Sequence, residues 1–147
     1  MKGGGYMGSF ERYFDSQIVK LIEQSEKDGG IWLKDVEPDQ LIEVYTQKSI
    51  YRLALVDKAE HLVAVNSTGA HIDKPEICIL NGSTFGGSMI RLGWIGIGMN
   101  LEFHRRRKVR PILTTSAVKT IKVKKDSKAA QELIEKANKN TAKNTLS

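Results

Sequence analysis

The stretch between residues 90 and 103 alternates apolar residues with other residues, and this alternation changes phase halfway along. Apolar side chains first occupy even positions and then odd ones: Ile90, Leu92 and Trp94, followed by Ile95, Ile97, Met99, Leu101 and Phe103. Because successive side chains of a strand point to opposite faces, one regular strand cannot contain this change. The sequence therefore predicts two strands, residues 88–94 and 99–104, joined through residues 95–98.

The same region is rich in glycine. Six of the thirteen glycines lie within residues 81–103. Glycine inside strand-like sequence is typical of turns, bulges and close backbone approaches. We predict that at least one of Gly93, Gly96 and Gly98 has a positive φ. Four apolar residues around them are predicted to be buried on one side of the sheet: Ile95, Met99, Leu101 and Phe103.

The remaining pattern between residues 31 and 125 predicts further short strands separated by turns. These strands are rich in β-branched residues, and no strand–helix–strand alternation separates them. They are expected at residues 41–46, 50–56, 62–66, 76–80, 112–116 and 117–123. The predicted fold is mainly β, a small antiparallel barrel or sandwich of about seven strands.

Two helices are predicted at the ends of a single domain that covers residues 9–139. Residues 9–28 carry an apolar stripe at helical spacing, which is typical of packing on the domain's own core; a homodimer through this helix is the alternative. The stripe consists of Phe10, Phe14, Ile18, Leu21 and Ile22. A short C-terminal helix, residues 127–138, is expected to begin at Asp126 or Ser127. Residues 1–8 and 140–147 are expected to be flexible ends.

Three phrases of the sequence are distinctive: G-S-T-x-G-G-S-M, W-I-G-x-G-M-x-L-E-F and T-T-S-x-V. Together they resemble a group of short, uncharacterised bacterial proteins over residues 41–123. This resemblance implies no activity, no cofactor and no site residues. The functional interpretation therefore depends on the residues themselves.

Composition argues against several classes of protein. The single cysteine, Cys78, excludes an internal disulfide and lies in an apolar run, where a buried and unreactive thiol is expected. No apolar run reaches the length of a membrane span, and the first residues do not have the pattern of a signal peptide, so we expect a cytoplasmic protein without a membrane partner. The three histidines have no metal-ligand spacing, so neither a metal nor a cofactor is predicted.

The sequence also names no catalytic residue. No serine lies in a nucleophile elbow, and no base accompanies Cys78. Glu43 and Glu102 could face each other as an acid–base pair, but the alternation around each predicts that both face solvent. The protein is therefore interpreted as a binding module, although an enzyme is not excluded.

Positive charge is concentrated in one segment. Residues 1–103 carry ten Lys and Arg against fourteen Asp and Glu, whereas residues 104–125 carry nine Lys and Arg and no acid. Exposed cations of this kind bind the phosphates of RNA or DNA backbone. The predicted nucleic-acid-binding residues are Arg105, Arg106, Arg107, Lys108, Arg110, Lys119, Lys122, Lys124 and Lys125. If the two strands that carry them pair, these cations are expected to form one patch.

Two other functions stay open at this point. The first is an interaction or scaffold module that assembles with itself through residues 9–28 or with an acidic protein. The second is a sensor of a small anion, because residues 82–88 could present backbone N–H groups and hydroxyls to a ligand, although a structural turn is the simpler interpretation. The ligand loop would use Ser83, Thr84, Gly86, Gly87 and Ser88.

Overall fold

The computed structural model describes residues 29–86 and 90–146 of the 147-residue chain. The predicted helix over residues 9–28 lies outside the described residues. Within these ranges the chain forms nine strands, a 3-10 turn Leu33–Asp35 and one long helix, α1, Ser127–Leu146. The strands are β1 Gly30–Trp32, β2 Gln40–Thr46, β3 Ile50–Asp57, β4 Leu62–Ser67, β5 Glu76–Thr84, β6 Ile90–Leu92, β7 Trp94–Gly96, β8 Asn100–Arg105 and β9 Ile112–Lys125.

Six of these strands form a closed series of pairings, in which the last strand pairs with the first. β2 pairs with β3, β3 with β4, β4 with β5, β5 with β8, β8 with β9, and β9 with β2, and every pairing is antiparallel. The short β6 pairs with β5, while β1 and β7 form a separate two-stranded sheet. This arrangement confirms the predicted mainly β, antiparallel class with a helix at the C-terminal end.

Two apolar clusters hold the strands and the helix together. The main cluster lies on one face of the paired strands and includes Phe103, whose ring stacks on Tyr51 with centroids 5.8 Å apart. On the opposite face of β2 to β5, α1 covers a second cluster through Ala130, Leu133 and Ala137. The four residues predicted to be buried have exposed fractions of 0–1%, which confirms that prediction: Ile95, Met99, Leu101 and Phe103.

Two glycine turns cause the change of phase in the alternation. Gly93 has a φ of +70° and Gly98 a φ of +88°, which confirms the predicted positive φ. Between these turns Ile95 lies in β7 and pairs with Ile31 of β1. The predicted division into two strands is therefore wrong, because the region forms three. Residues 95 and 96, expected in a turn, belong to a strand that pairs with a distant part of the chain.

Two other strands differ in extent from the predictions. β5 continues through residues 82–84, part of the expected loop, because a bulge at Asn81 keeps the ladder to β8 intact. A Cβ on Gly82 would collide with the carbonyl oxygen of Arg91, so only glycine allows β6 to approach so closely. Residues 112–125 form one strand, where two were expected, since β8 and β2 pair with successive halves of it.

The C-terminal helix begins as predicted and extends beyond its predicted end. The backbone N–H of Ala129 donates to Asp126 Oδ1 at 3.0 Å, so Asp126 is the N-cap. The helix continues beyond Asn138 to Leu146. The reason is tertiary, because Ile77 N donates to Thr141 Oγ1 at 2.8 Å and Asn140 Nδ2 donates to the Pro75 carbonyl at 2.8 Å.

We expect that replacing Gly98 with alanine lowers the free energy of unfolding by about 1–2 kcal/mol, because an L side chain is strained at positive φ. Gly98 is exposed, so crowding is not the cause. Gly98→Asn should lose less, since asparagine tolerates this conformation better. Urea denaturation of the three proteins measures the difference. Equal losses in the two variants would contradict a backbone origin.

Candidate nucleic-acid interface

The basic run lies at the end of the β8–β9 hairpin. His104 pairs with Ile112, and the backbone N–H of Arg105 donates to the Pro111 carbonyl at 2.7 Å, so residues 106–110 form the connection beyond the ladder. All five of these residues are exposed. We call residues 106–110 the basic tip; its cations are Arg106, Arg107, Lys108 and Arg110. These four side chains form no ion pair among the described residues.

Arg105 differs from its neighbours, because its side chain forms an ion pair with a glutamate. Its Nε donates to Glu76 Oε2 at 3.0 Å, and Nη2 contacts the other oxygen of the same carboxylate. The two side chains are only 14% and 11% exposed. This hydrogen bond raises the pKa of Arg105 above its usual value. Arg105 is thus an internal ion-pair partner, unlike the free cation that the sequence predicted.

The alternation along β8 explains why Arg105 lies inside. Leu101 and Phe103 point into the main cluster, and Arg105 follows with the same period of two. Glu76 has the same relation to Cys78 and Leu80 on β5. The sequence interpretation missed the role of Glu76, although its spacing from two apolar residues of one face was a usable signal.

The thiol of Cys78 lies beside this ion pair. Cys78 is buried, as predicted, and its Sγ donates to Glu76 Oε2 at 3.3 Å. Burial raises the pKa of the thiol, and the neighbouring Glu76 carboxylate raises it further. The cysteine is therefore held as a neutral thiol in the wall of the core.

The four lysines of β9 are grouped with one another but apart from the basic tip. β9 pairs with β8 up to Ala117 and with β2 from Val118 onward, and the lysines lie in this second half. Lys119, the first of these lysines, follows Ile112 at the start of β9 by seven residues, which corresponds to roughly 23 Å along an extended strand at about 3.3 Å per residue. The structure therefore contains two separate basic groups, where the sequence predicted one patch.

Three of these lysines also have neighbours on β2 or directly before it. Lys124 Nζ lies 3.0 Å from Glu43 Oε1, Lys125 Nζ lies 3.8 Å from Asp39, and Lys122 Nζ lies 5.0 Å from the centre of the Tyr45 ring. The hydrogen bond from Lys124 lowers the pKa of Glu43 against the opposing effect of burial. These contacts leave the basic tip as the least neutralised group.

The two glutamates considered as an acid–base pair are not the solvent-facing residues that the alternation predicted. The Glu43 side chain is 15% exposed, covered by its partner Lys124 and by the Tyr45 hydroxyl, which donates to Glu43 Oε1 at 3.2 Å. Glu102 is only 8% exposed and accepts a hydrogen bond of 2.9 Å from Asn81 Nδ2. Residue alternation gives the face of a strand, but it does not show what covers that face.

The candidate ligand loop is largely built into the fold. Ser83 is fully buried; its Oγ donates to the Trp94 carbonyl and accepts from Gly96 N at 3.0 Å, which joins β5 to β7. Thr84 is also buried, and Gly86 N donates to Asn100 Oδ1 at 3.1 Å. Gly87 and Ser88 lie outside the described residues. Ser83 and Thr84 therefore do not face an approaching ligand.

Across the described ranges, no group of three or more metal-binding side chains comes together. No helix in the same ranges combines the length and the apolar character that crossing a membrane requires. Comparisons of the chain with protein-family models, with curated proteins and with solved structures found no match. The resemblance to short bacterial proteins therefore stays a prediction.

Proposed function

We propose that this protein is a non-catalytic binding module that contacts the backbone of RNA or DNA through the basic tip. The proposal depends on one observation: four of the five residues of the tip are exposed cations, and none of these cations has an ion-pair partner in the described part of the chain. Arginine and lysine side chains bind phosphate oxygens, and such binding is salt-dependent and largely independent of sequence. The proposed location is the cytoplasm.

The surrounding fold supports this proposal by holding the tip in position. Next to the tip, β8 is paired with both β5 and β9, Arg105 with Cys78 and His104 with Ile112, and we propose that the closed series of pairings forms a small barrel. A tip fixed on such a scaffold loses little conformational freedom on binding. The proposed contact set is smaller than the predicted one, because Arg105 is paired with Glu76 and because the four lysines of β9 lie apart from the tip, three of them with neighbours at or beside β2.

The mode of contact follows from the absence of stacking groups at the tip. Phe103, the aromatic residue nearest to the basic run, is fully buried and stacks on Tyr51. Bases therefore have no aromatic platform among residues 106–110, and the proposed contacts are with phosphates. We expect similar affinities for duplexes of different sequence at equal salt concentration.

The experiment compares two variants of equal net charge. In the tip variant, Arg106→Gln, Arg107→Gln and Lys108→Gln remove three exposed cations; in the control, Lys122→Gln, Lys124→Gln and Lys125→Gln remove three from β9. Fluorescence anisotropy with labelled mixed-sequence RNA and DNA is measured between about 50 and 200 mM salt. The slope of log affinity against log salt should fall by about three phosphate contacts in the tip variant.

The control should retain most of its affinity, and the thermal stability of the tip variant should barely change, since exposed charges contribute little. Unchanged binding in the tip variant would rule out the basic tip as the binding surface. Equal losses in the two variants would mean that net charge, with no particular site, attracts the nucleic acid. No binding by the unmodified protein at low salt would overturn the proposed function itself.

A further inference from the structure

The second half of β9 has one edge without a strand partner. The ladder to β8 ends at the pair Asn100 and Ala117, whereas the ladder to β2 continues from Val118 to Lys125. Residues 119–125 are therefore paired along one edge only among the described residues. A strand edge of this kind presents unpaired backbone N–H and C=O groups and is a template for another strand.

Little covers this segment. Six of its seven residues are exposed, and Val123 is 43% exposed. Ile121 and Val123 pair with Val44 and Ile42, so they point to the face of the main cluster, at which Ile121 is partly buried. The intervening lysines, Lys122 and Lys124, point to the opposite face. The open edge thus has a cationic side, with Lys122 and Lys124, and a side on which Ile121 and Val123 precede one further lysine, Lys125.

We propose that residues 119–125 bind an extended acidic segment of a partner protein as an added β-strand. The added strand would bond to the free backbone groups of the edge, as in other cases of strand addition. Its side chains would alternate, with acidic residues beside Lys122 and Lys124 and apolar residues beside Ile121 and Val123. The proposal does not depend on the nucleic-acid function, because the basic tip lies at the other end of β9.

Charge decides between this partner and a second copy of the chain. Two copies of the edge paired antiparallel would bring lysines against lysines, and like charges on neighbouring strands destabilise a sheet. Lysines on an edge also keep it from unwanted self-pairing. An acidic strand would instead place negative charges beside these lysines, and opposite charges on neighbouring strands stabilise the pairing. Lys124 is 53% exposed beside Glu43, and such exposed ion pairs are weak, so this lysine can contact an incoming carboxylate.

The test uses synthetic peptides of seven residues that alternate glutamate with valine, glutamine with valine, or lysine with valine. Each is titrated into the isotope-labelled full chain, and backbone amide shifts are followed by NMR. The glutamate peptide should bind most tightly, with the largest shifts in residues 119–125. A glutamate peptide that is N-methylated at alternate residues should lose its binding, because it cannot complete the ladder.

A variant with Lys122→Gln and Lys124→Gln should bind the glutamate peptide about tenfold more weakly, as expected for two lost cross-strand charge pairs. The matched control replaces Lys128 and Lys139 of α1 with glutamine and should bind normally. Binding of the N-methylated peptide, shifts confined to the basic tip, equal binding of all three peptides, or no binding at all would each overturn the proposal. The tip variant should retain peptide binding even if it loses nucleic acid, which separates the two functions.

Discussion

Replacement of Leu101 by alanine should lower the free energy of unfolding by about 2–5 kcal/mol, the range for truncating a buried leucine. Leu101 lies in β8, is fully buried and belongs to the main cluster. β8 itself is held by ladders on both sides, to β5 and to β9, so the wall can collapse only partly around the cavity. Urea denaturation followed by circular dichroism measures the loss.

A leucine of the same region provides the matched control. Leu92 of β6 is 67% exposed, so Leu92→Ala removes the same atoms from a position that buries little surface. Its effect should stay within about 0.5 kcal/mol. A loss below about 1 kcal/mol for Leu101→Ala would show that the alternation along residues 99–103 does not define the core.

Replacement of Arg105 by alanine should cost about 3–5 kcal/mol, because Glu76 would keep a charge in a largely buried position without its partner. The same substitution at Arg106, one residue further along, should change stability by less than about 0.5 kcal/mol, since Arg106 is exposed. Thermal and urea denaturation of the two variants provide the comparison. Similar stabilities would contradict a structural role for the ion pair.

A double variant separates the ion pair from simple loss of volume. Glu76→Leu together with Arg105→Leu removes both charges and retains apolar bulk, so it should recover a large part of the stability lost in Arg105→Ala. Recovery would assign the loss to an unpaired buried carboxylate. A double variant that is as unstable as the single one would instead assign the loss to the packing of the arginine side chain.

Much of the secondary structure followed from local pattern. The strands predicted at residues 41–46, 50–56 and 62–66 differ from β2, β3 and β4 by one residue at most at each end. Alternation and β-branched content are properties of adjacent residues, and the polar turns between these strands are short. The predicted burial of Met99, Leu101 and Phe103 rested on the same period of two.

Pairing between distant segments could not be predicted in this way. Trp94 and Ile95 lie between two glycine turns, and nothing local indicates that their partners are Trp32 and Ile31. The same applies to residues 112–125, where one continuous strand changes its partner from β8 to β2 in a region that was predicted to form two strands. The extent of α1 depends on contacts with Pro75 and Ile77, far away in the sequence.

The sequence by itself determined the antiparallel β class, the glycine turns and the position of the basic tip, because each of these depends on residues that are close along the chain. Only the tertiary structure decided which cations are free. It paired Arg105 with a glutamate 29 residues away and placed Lys124 and Lys125 beside Glu43 and Asp39. Charge is visible in a sequence, whereas neutralisation depends on contacts that only folding brings together.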